Sequence, residues 1–223
     1  MSLFITFEGI EGSGKTTQIG LLNTYLRKEK KSVFLTKEPG GDKICKQIRN
    51  IILEKKHINS EELRPKSEFL LYMADRAQHT ESTIIPAIKA GKIVICDRYT
   101  DSTLAYQGYA RGLDIEWIEK LNYYATSGLE PDITILLDLD PVIGLKRIME
   151  LRKQKLDRME SETLEFHKKV REGYLKIAEF KQRIKIINAK QDINKVHLDI
   201  IEQLNGFINK KLNGLLINKS VKF

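Results

Sequence analysis

Near the start of the chain, Gly9, Ile10, Glu11, Gly12, Ser13, Gly14, Lys15 and Thr16 fit the pattern G-x-x-x-x-G-K-[ST], with Thr17 next in the run. Glycines let backbone N–H groups converge on phosphate oxygens with no Cβ in the way. A helix that begins there adds its unpaired N–H groups and the positive end of its dipole. Lys15 would then reach the β- and γ-phosphates of a nucleoside triphosphate, and the Thr16 hydroxyl would take one position on Mg2+, which keeps several waters of its own. The plain alternative is a glycine turn that only joins strand to helix. With Gly near 7% of residues in proteins, a chance match to the four fixed positions is on the order of one in a hundred.

Two further constellations suit a second substrate. KIVICDRY ends in Asp97 and Arg98, and ligands of open α/β sheets bind beyond the carboxyl ends of strands. An acid there can orient magnesium-bound water, and an arginine can grip phosphate in a bidentate fork. The alternative is an ion pair between the two neighbours. In SEFLLYMADRAQHT, Phe69, Tyr72, Met73 and Arg76 share one helix face. A planar base would stack on an aromatic ring while the guanidinium bonds an exocyclic oxygen. An arginine that snorkels out or pairs with a distant acid is an equal alternative on these residues alone.

These groups must be held by a scaffold. SLFITFE, SVFLTKE, KIVICD, DITILLDLD and RIKIINA are short apolar runs separated by helical patterns, as parallel strands covered on both faces require. The expectation is a doubly wound α/β fold in a single domain over 1–223, a P-loop sheet flanked by helices. Asp42 is expected to cap a helix that carries Ile44, Ile48, Ile51 and Ile52 as an apolar stripe, and Pro86 to divide 65–91 into two pieces. Asp138, a rival acid, precedes Pro141 and is expected to cap a helix.

Composition narrows the class. A chain of 223 residues, 41% hydrophobic, with no apolar run of membrane-spanning length and no signal segment, is an ordinary globular protein. Cys45 and Cys96 have no metal-ligand spacing, which fits a reducing cytoplasm. The net charge of +8 admits a polyanion, a phosphate-rich substrate, or mere lysine richness. The basic last third is expected to be solvated surface. A switch GTPase needs N-K-x-D, and the one stretch at the right depth ends in His197. A nucleic-acid-associated P-loop ATPase and a small-molecule kinase remain.

FEGIEGSGKTT, KEPGG, LLYMADRAQ, DRYTDSTLAYQG and LDRME, in this order, resemble thymidylate kinases of the bacterial type, from about Phe4 to Ala189. The resemblance implies transfer of the ATP γ-phosphate to dTMP, with Mg2+, on a five-stranded parallel sheet in a homodimer, with no nucleic-acid or membrane partner. Under it, Arg49 and Arg98 hold the dTMP phosphate, Tyr72 stacks on thymine and Arg76 bonds its O4. Ser102 and Thr103 contact the base near N3 with Gln107 close by, Tyr106 crowds the 2′ carbon, and Glu11 lies near the 3′-hydroxyl. KEPGG frames the acceptor phosphate. A kinase for another nucleoside or nucleoside monophosphate would share the P-loop but lack Tyr72 and Arg76 together with AYQG.

The family's nucleophile is an already anionic phosphate oxygen, so the task is to align two polyanions and neutralise charge between them. Ser13 leaves the P-loop without an arginine that some relatives carry. The lid, approximately 146–162, is expected to supply it, with Arg147 against adenine and Arg152, Lys153 and Arg158 as candidates for the transferring phosphate, Arg152 first. The stretch from GLKR to LDR is longer than in the family's shorter lids, which leaves that choice open. A C-terminal helix and tail are expected over approximately 191–223.

Overall fold

The computed structural model describes residues 2–54, 62–152 and 156–220, with the side chains of 2–54, 62–150 and 156–209. Five parallel strands lie in the order β2-β3-β1-β4-β5: β1 Leu3–Glu8, β2 Val33–Lys37, β3 Ile93–Asp97, β4 Ile133–Asp138 and β5 Ile184–Asn188. All five coincide with the apolar runs. Central β1 is buried along its whole length, whereas the edge strands β2 and β5 are only partly buried and expose Leu35 and Ile186. A continuous apolar run is thus matched to burial on both faces only in the middle of the sheet. Leu3, Ile5 and Phe7 point into one core, while Phe4 faces a smaller one with Val94, Cys96 and Tyr99, the period-2 alternation of a strand.

The chain leaves β1 for one side of the sheet and later crosses to β4 on the other. The crevice at that reversal lies between the carboxyl ends of β1 and β3, where ligands of such sheets bind. Helices α1 Lys15–Lys28, α2 Lys43–Leu53, α3 Pro65–His79, α4 Ile85–Lys89 and α5 Thr100–Thr103 precede α6 Ile115–Thr126, α7 Pro141–Arg152, α8 Leu164–Phe180 and α9 Ile193–Ser220. Of the expected lid, 153–155 lie outside the described residues, as do 221–223 of the tail.

Some expectations are corrected. Asp42 does cap α2, accepting from Cys45 N at 2.7 Å, but α2 buries Cys45 and Ile52 while Ile44 and Ile51 are exposed. Residues 65–91 do not break at Pro86. Helix α3 passes through a π-helical turn, Thr80–Ile84, into α4, with Ile85 N–H reaching back to Thr80 O. The wider turn absorbs the N–H that Pro86 lacks. Asp140, not Asp138, caps α7 by accepting from Val142 N at 2.8 Å, and Asp138 instead takes both Nε and Nη2 of Arg171 at 2.6 and 2.8 Å. The basic last third is not all solvated: Lys181 and Arg183 pair with buried Asp101.

Two glycines let the scaffold close on the phosphate loop. Gly9 has φ +136, and a Cβ there would stand 2.5 Å from Leu137 O. A Cβ on Gly144 of α7 would stand 2.5 Å from Glu11 O, so α7 seats directly on the loop.

Candidate active site

The phosphate loop leads from β1 into α1, whose N-cap is Gly14 at φ +91 with no side chain capping the first turn. The N–H groups of that turn therefore face the crevice, the arrangement that suits an anion. Lys15 is buried and donates to Gly9 O and Ile10 O, both at 2.9 Å, and to Ser13 Oγ at 3.4 Å. Its ammonium is thereby held inside the curve of the loop. Burial, then Arg98, brings its pKa down to about 8. At neutral pH it remains mostly charged.

Arg98 follows β3 with φ +72, a left-handed conformation uncommon for a side chain with a Cβ and found at sites where surrounding structure over-determines it. It does not pair with its neighbour Asp97. Its guanidinium reaches across to Glu11 Oε1 and Gly9 O at 2.8 and 2.9 Å, to the Tyr174 hydroxyl at 3.0 Å and to Ser102 Oγ at 3.3 Å. The Tyr106 hydroxyl also donates to Glu11, at 2.6 Å. Burial alone would raise the Glu11 carboxyl, but Arg98, His167 and Lys15 together hold it well below the usual range. The Ser102 hydroxyl donates to Glu8 Oε2 at 2.5 Å, so it serves the Arg98 side of the site.

A cavity of roughly 1210 Å3 runs from this loop past Asp97, Arg98 and Tyr106 to Tyr72, Arg76 and Gln107. Pockets for a single drug-sized ligand span about 300–1,000 Å3, so the trough is larger than one such ligand requires. Gly12 to Thr17 and Arg147 line one end, and Arg147 donates to Gly12 O at 3.3 Å. Arg49 lines the other side and donates to Pro39 O at 2.8 Å, after a cis Glu38–Pro39 bond. The predicted face of α3 is present, with Phe69 and Met73 in the core and Tyr72 half-buried at the trough. Arg76 meets both alternatives: it lines the trough, yet it is anchored by Glu38 Oε2 at 2.8 Å, Tyr99 O at 2.9 Å, Thr103 Oγ1 at 2.7 Å and Asn122 Oδ1 at 2.5 Å.

Arg158 is not brought to the phosphate loop. It pairs with Glu68 at 2.7 Å and donates from Nε to Ile52 O at 2.7 Å. The Arg152 side chain and Lys153 lie outside the described residues. Sequence reasoning missed Lys37 and Lys46, which line the trough; Lys37 ends a strand beside the crevice, and that position was the available signal. It also missed Glu8, Glu38, Glu68 and His167, buried groups whose partners lie far along the chain, for which no local signal exists. Burial and then Asp101 push the Glu8 carboxyl up to about 7.

Thr16 and Asp97 fit a magnesium ion bound mainly through phosphate. The Thr16 hydroxyl makes no hydrogen bond to the described residues, and Asp97 Oδ1 is buried with no partner, an oxygen left to accept from a water. Mg2+ takes one or two such ligands together with waters and substrate oxygens.

Behind the trough, Asp75 accepts from Gly40 N at 2.9 Å, and its Oδ2 is buried without a partner. Burial, then Glu38, raises its pKa to about 7. The folded protein thus keeps a proton that the unfolded chain has released, so this contribution to stability is full at low pH and is lost as pH rises through 7. Asp75→Asn mimics the protonated form. Its stability relative to the parent, measured by denaturant unfolding, is expected to increase from about pH 5 to about pH 8. A difference constant across that range would show that Asp75 carries no such proton.

The thymidylate kinase family model matches residues 7–200. A thymidylate kinase of Geobacillus sp. (strain WCH70) is 52% identical over 194 residues, covering 86% of this chain and 91% of the relative. One from Clostridium novyi (strain NT) is 48% identical over 206 residues, covering 92% and 97%. The crystal structure of thymidylate kinase from Ehrlichia chaffeensis superposes with a TM-score of 0.73 at 37% identity, covering 91% of this chain and 98% of that one. A phosphate loop at one end of a trough that runs on to Tyr72 and Arg76, on a chain matched over residues 7–200, places this protein in the thymidylate kinase family.

Proposed function

We infer that this chain transfers the γ-phosphate of ATP to dTMP, giving dTDP and ADP, a step of dTTP synthesis. The observation that carries the reading is the continuous trough, with Lys15 at one end and Tyr72 and Arg76 at the other. The ATP phosphates lie along Gly9 to Thr17, and Arg147 flanks adenine. The dTMP phosphate lies between Arg49 and Arg98, its sugar against Glu11 and Tyr106, its base on Tyr72 and near Arg76, Thr103 and Gln107. Ser102 acts through Arg98. No base is needed, because the acceptor oxygen is anionic; Arg98 and Lys15 screen two polyanions from each other. Arg98 stays in place because Glu11 and Gly9 O fix its fork.

Thr16, and Asp97 through water, would hold Mg2+, which draws charge from the β- and γ-phosphate oxygens when bound. A reducing cytoplasm is supported by two cysteines that are free and buried. Among the described residues no helix is long and apolar enough to cross a membrane. The whole chain acts as one domain with a lid. A homodimer is supported by α2, α3 and α6, which pack on one another and leave Ile44, Ile51, Leu70 and Trp117 exposed. Sedimentation at micromolar concentration should give twice the monomer mass, and a monomer would sink that part of the reading.

An assay of ADP release across a panel of nucleoside monophosphates should single out dTMP. Lys15→Ala should lower kcat/KM by far more than tenfold, a barrier change of ~1.4 kcal/mol, without loss of fold. A smaller loss would remove Lys15 from the phosphate site. With Arg158 held by Glu68, Arg152 is the lid arginine proposed for the transferring phosphate. An interaction made mainly in the transition state lowers kcat with little change in KM. Arg152→Ala should therefore cut kcat by at least ~10²-fold; a kcat within about threefold of the parent would reduce the lid to a cover against water.

A further inference from the structure

Glu68, in the first turn of α3, is fully buried and stands behind the base end of the trough. Its Oε2 is claimed by Arg158 at 2.7 Å and Arg111 at 3.2 Å. Its Oε1 accepts from Gln107 Nε2 at 2.7 Å, with Arg111 Nε farther off at 3.4 Å. Both Glu68 oxygens face N–H donors and act as acceptors. The amide of Gln107 must therefore turn its NH2 to Glu68, whatever an amide's two ends look like in outline. Its carbonyl oxygen is left for the trough, which Gln107 lines, and among the described residues no donor reaches that oxygen.

We propose that Glu68 is a positioning residue that sets base choice by fixing the orientation of Gln107. With the thymidylate kinase reading as its basis, the inference is that the trough presents an acceptor where thymine carries its N3–H donor. Cytosine has a lone pair at N3, so two acceptors would meet and a buried polar atom would go unpaired, the arrangement by which a hydrogen-bonding site rejects an analogue. Arg111 donates to both oxygens of Glu68, and Arg158 adds its charge beside Oε2, so the carboxylate keeps its acceptor toward Gln107.

Glu68→Gln provides the test. The arginines claim the oxygen of the new amide, so its NH2 turns to Gln107, which must flip and offer NH2 to the base. The measurements are KM for dTMP and the inhibition constant of dCMP against dTMP. Their ratio, dCMP over dTMP, should fall at least ~10-fold in Glu68→Gln. In a Gln107→Leu background the same change at Glu68 should leave the ratio unaltered, since the residue acts only through that amide. A ratio within about twofold of the parent, or a shift that persists without Gln107, overturns the proposal. A parent that fails to phosphorylate dTMP would overturn the proposed substrate instead. Should Glu68→Gln not fold, the parent itself is titrated with N3-methyl-dTMP, which has no donor at N3. Binding at least ~10-fold weaker than dTMP is expected, and equal binding overturns the assigned orientation.

Discussion

The ion pair between Arg98 and Glu11, 2.8 Å apart, joins the end of β3 to the phosphate loop that follows β1. A cation must stand where two polyanions meet, and a guanidinium taken out of water holds its place only when its N–H groups are filled. Glu11, Gly9 O and the Tyr174 hydroxyl fill them. The left-handed backbone at Arg98 follows from this demand, since the side chain must turn back over β1 rather than continue along β3. Gly9 and Gly144 serve the same end, because the loop can reach Arg98 only if β4 and α7 press against it without Cβ atoms in between.

Helix α3 repeats the device twice on one side of the trough. Glu38 enters from the loop after β2 and holds Arg76 and His79, one turn apart. Glu68 works in the opposite sense, an acid of the helix that holds arginines from other segments. Glu38 and Glu68 are each met on both oxygens, which offsets the cost of burying them. These networks do more for order than for stability. A buried ion pair roughly balances its desolvation, but its geometry admits few alternatives.

The proposed lid is tied to the rest of the site at both ends. Arg158, Glu162 and Arg111 tie its exit to α3, and Gly144 seats its leading helix on the phosphate loop. Both roots of the lid thus rest on the two halves of the trough. The proposed closure over the phosphates would turn on these two attachments.

Sequence alone determined what is encoded in consecutive residues. Eight adjacent positions suffice for the phosphate loop, because backbone N–H groups and a helix start are local. The central strands were legible because burial on both faces demands an unbroken apolar run, the edge strands because their short apolar runs sit between helical patterns, and the family was legible in the spacing of DRY, AYQG and LDR. The extent of Pro86's effect was not, since whether a helix breaks or widens depends on what packs around it. Nor were the partners of the buried charges. With 30 acidic residues in the chain, nothing local matches Glu68 to Gln107 or Arg158, nor Glu38 to Arg76. Those pairings follow from strand order and from the desolvation of groups 38 to 90 residues apart being settled together across the domain. Only the folded chain decides which charge is left facing the substrate and which is spent in holding it there.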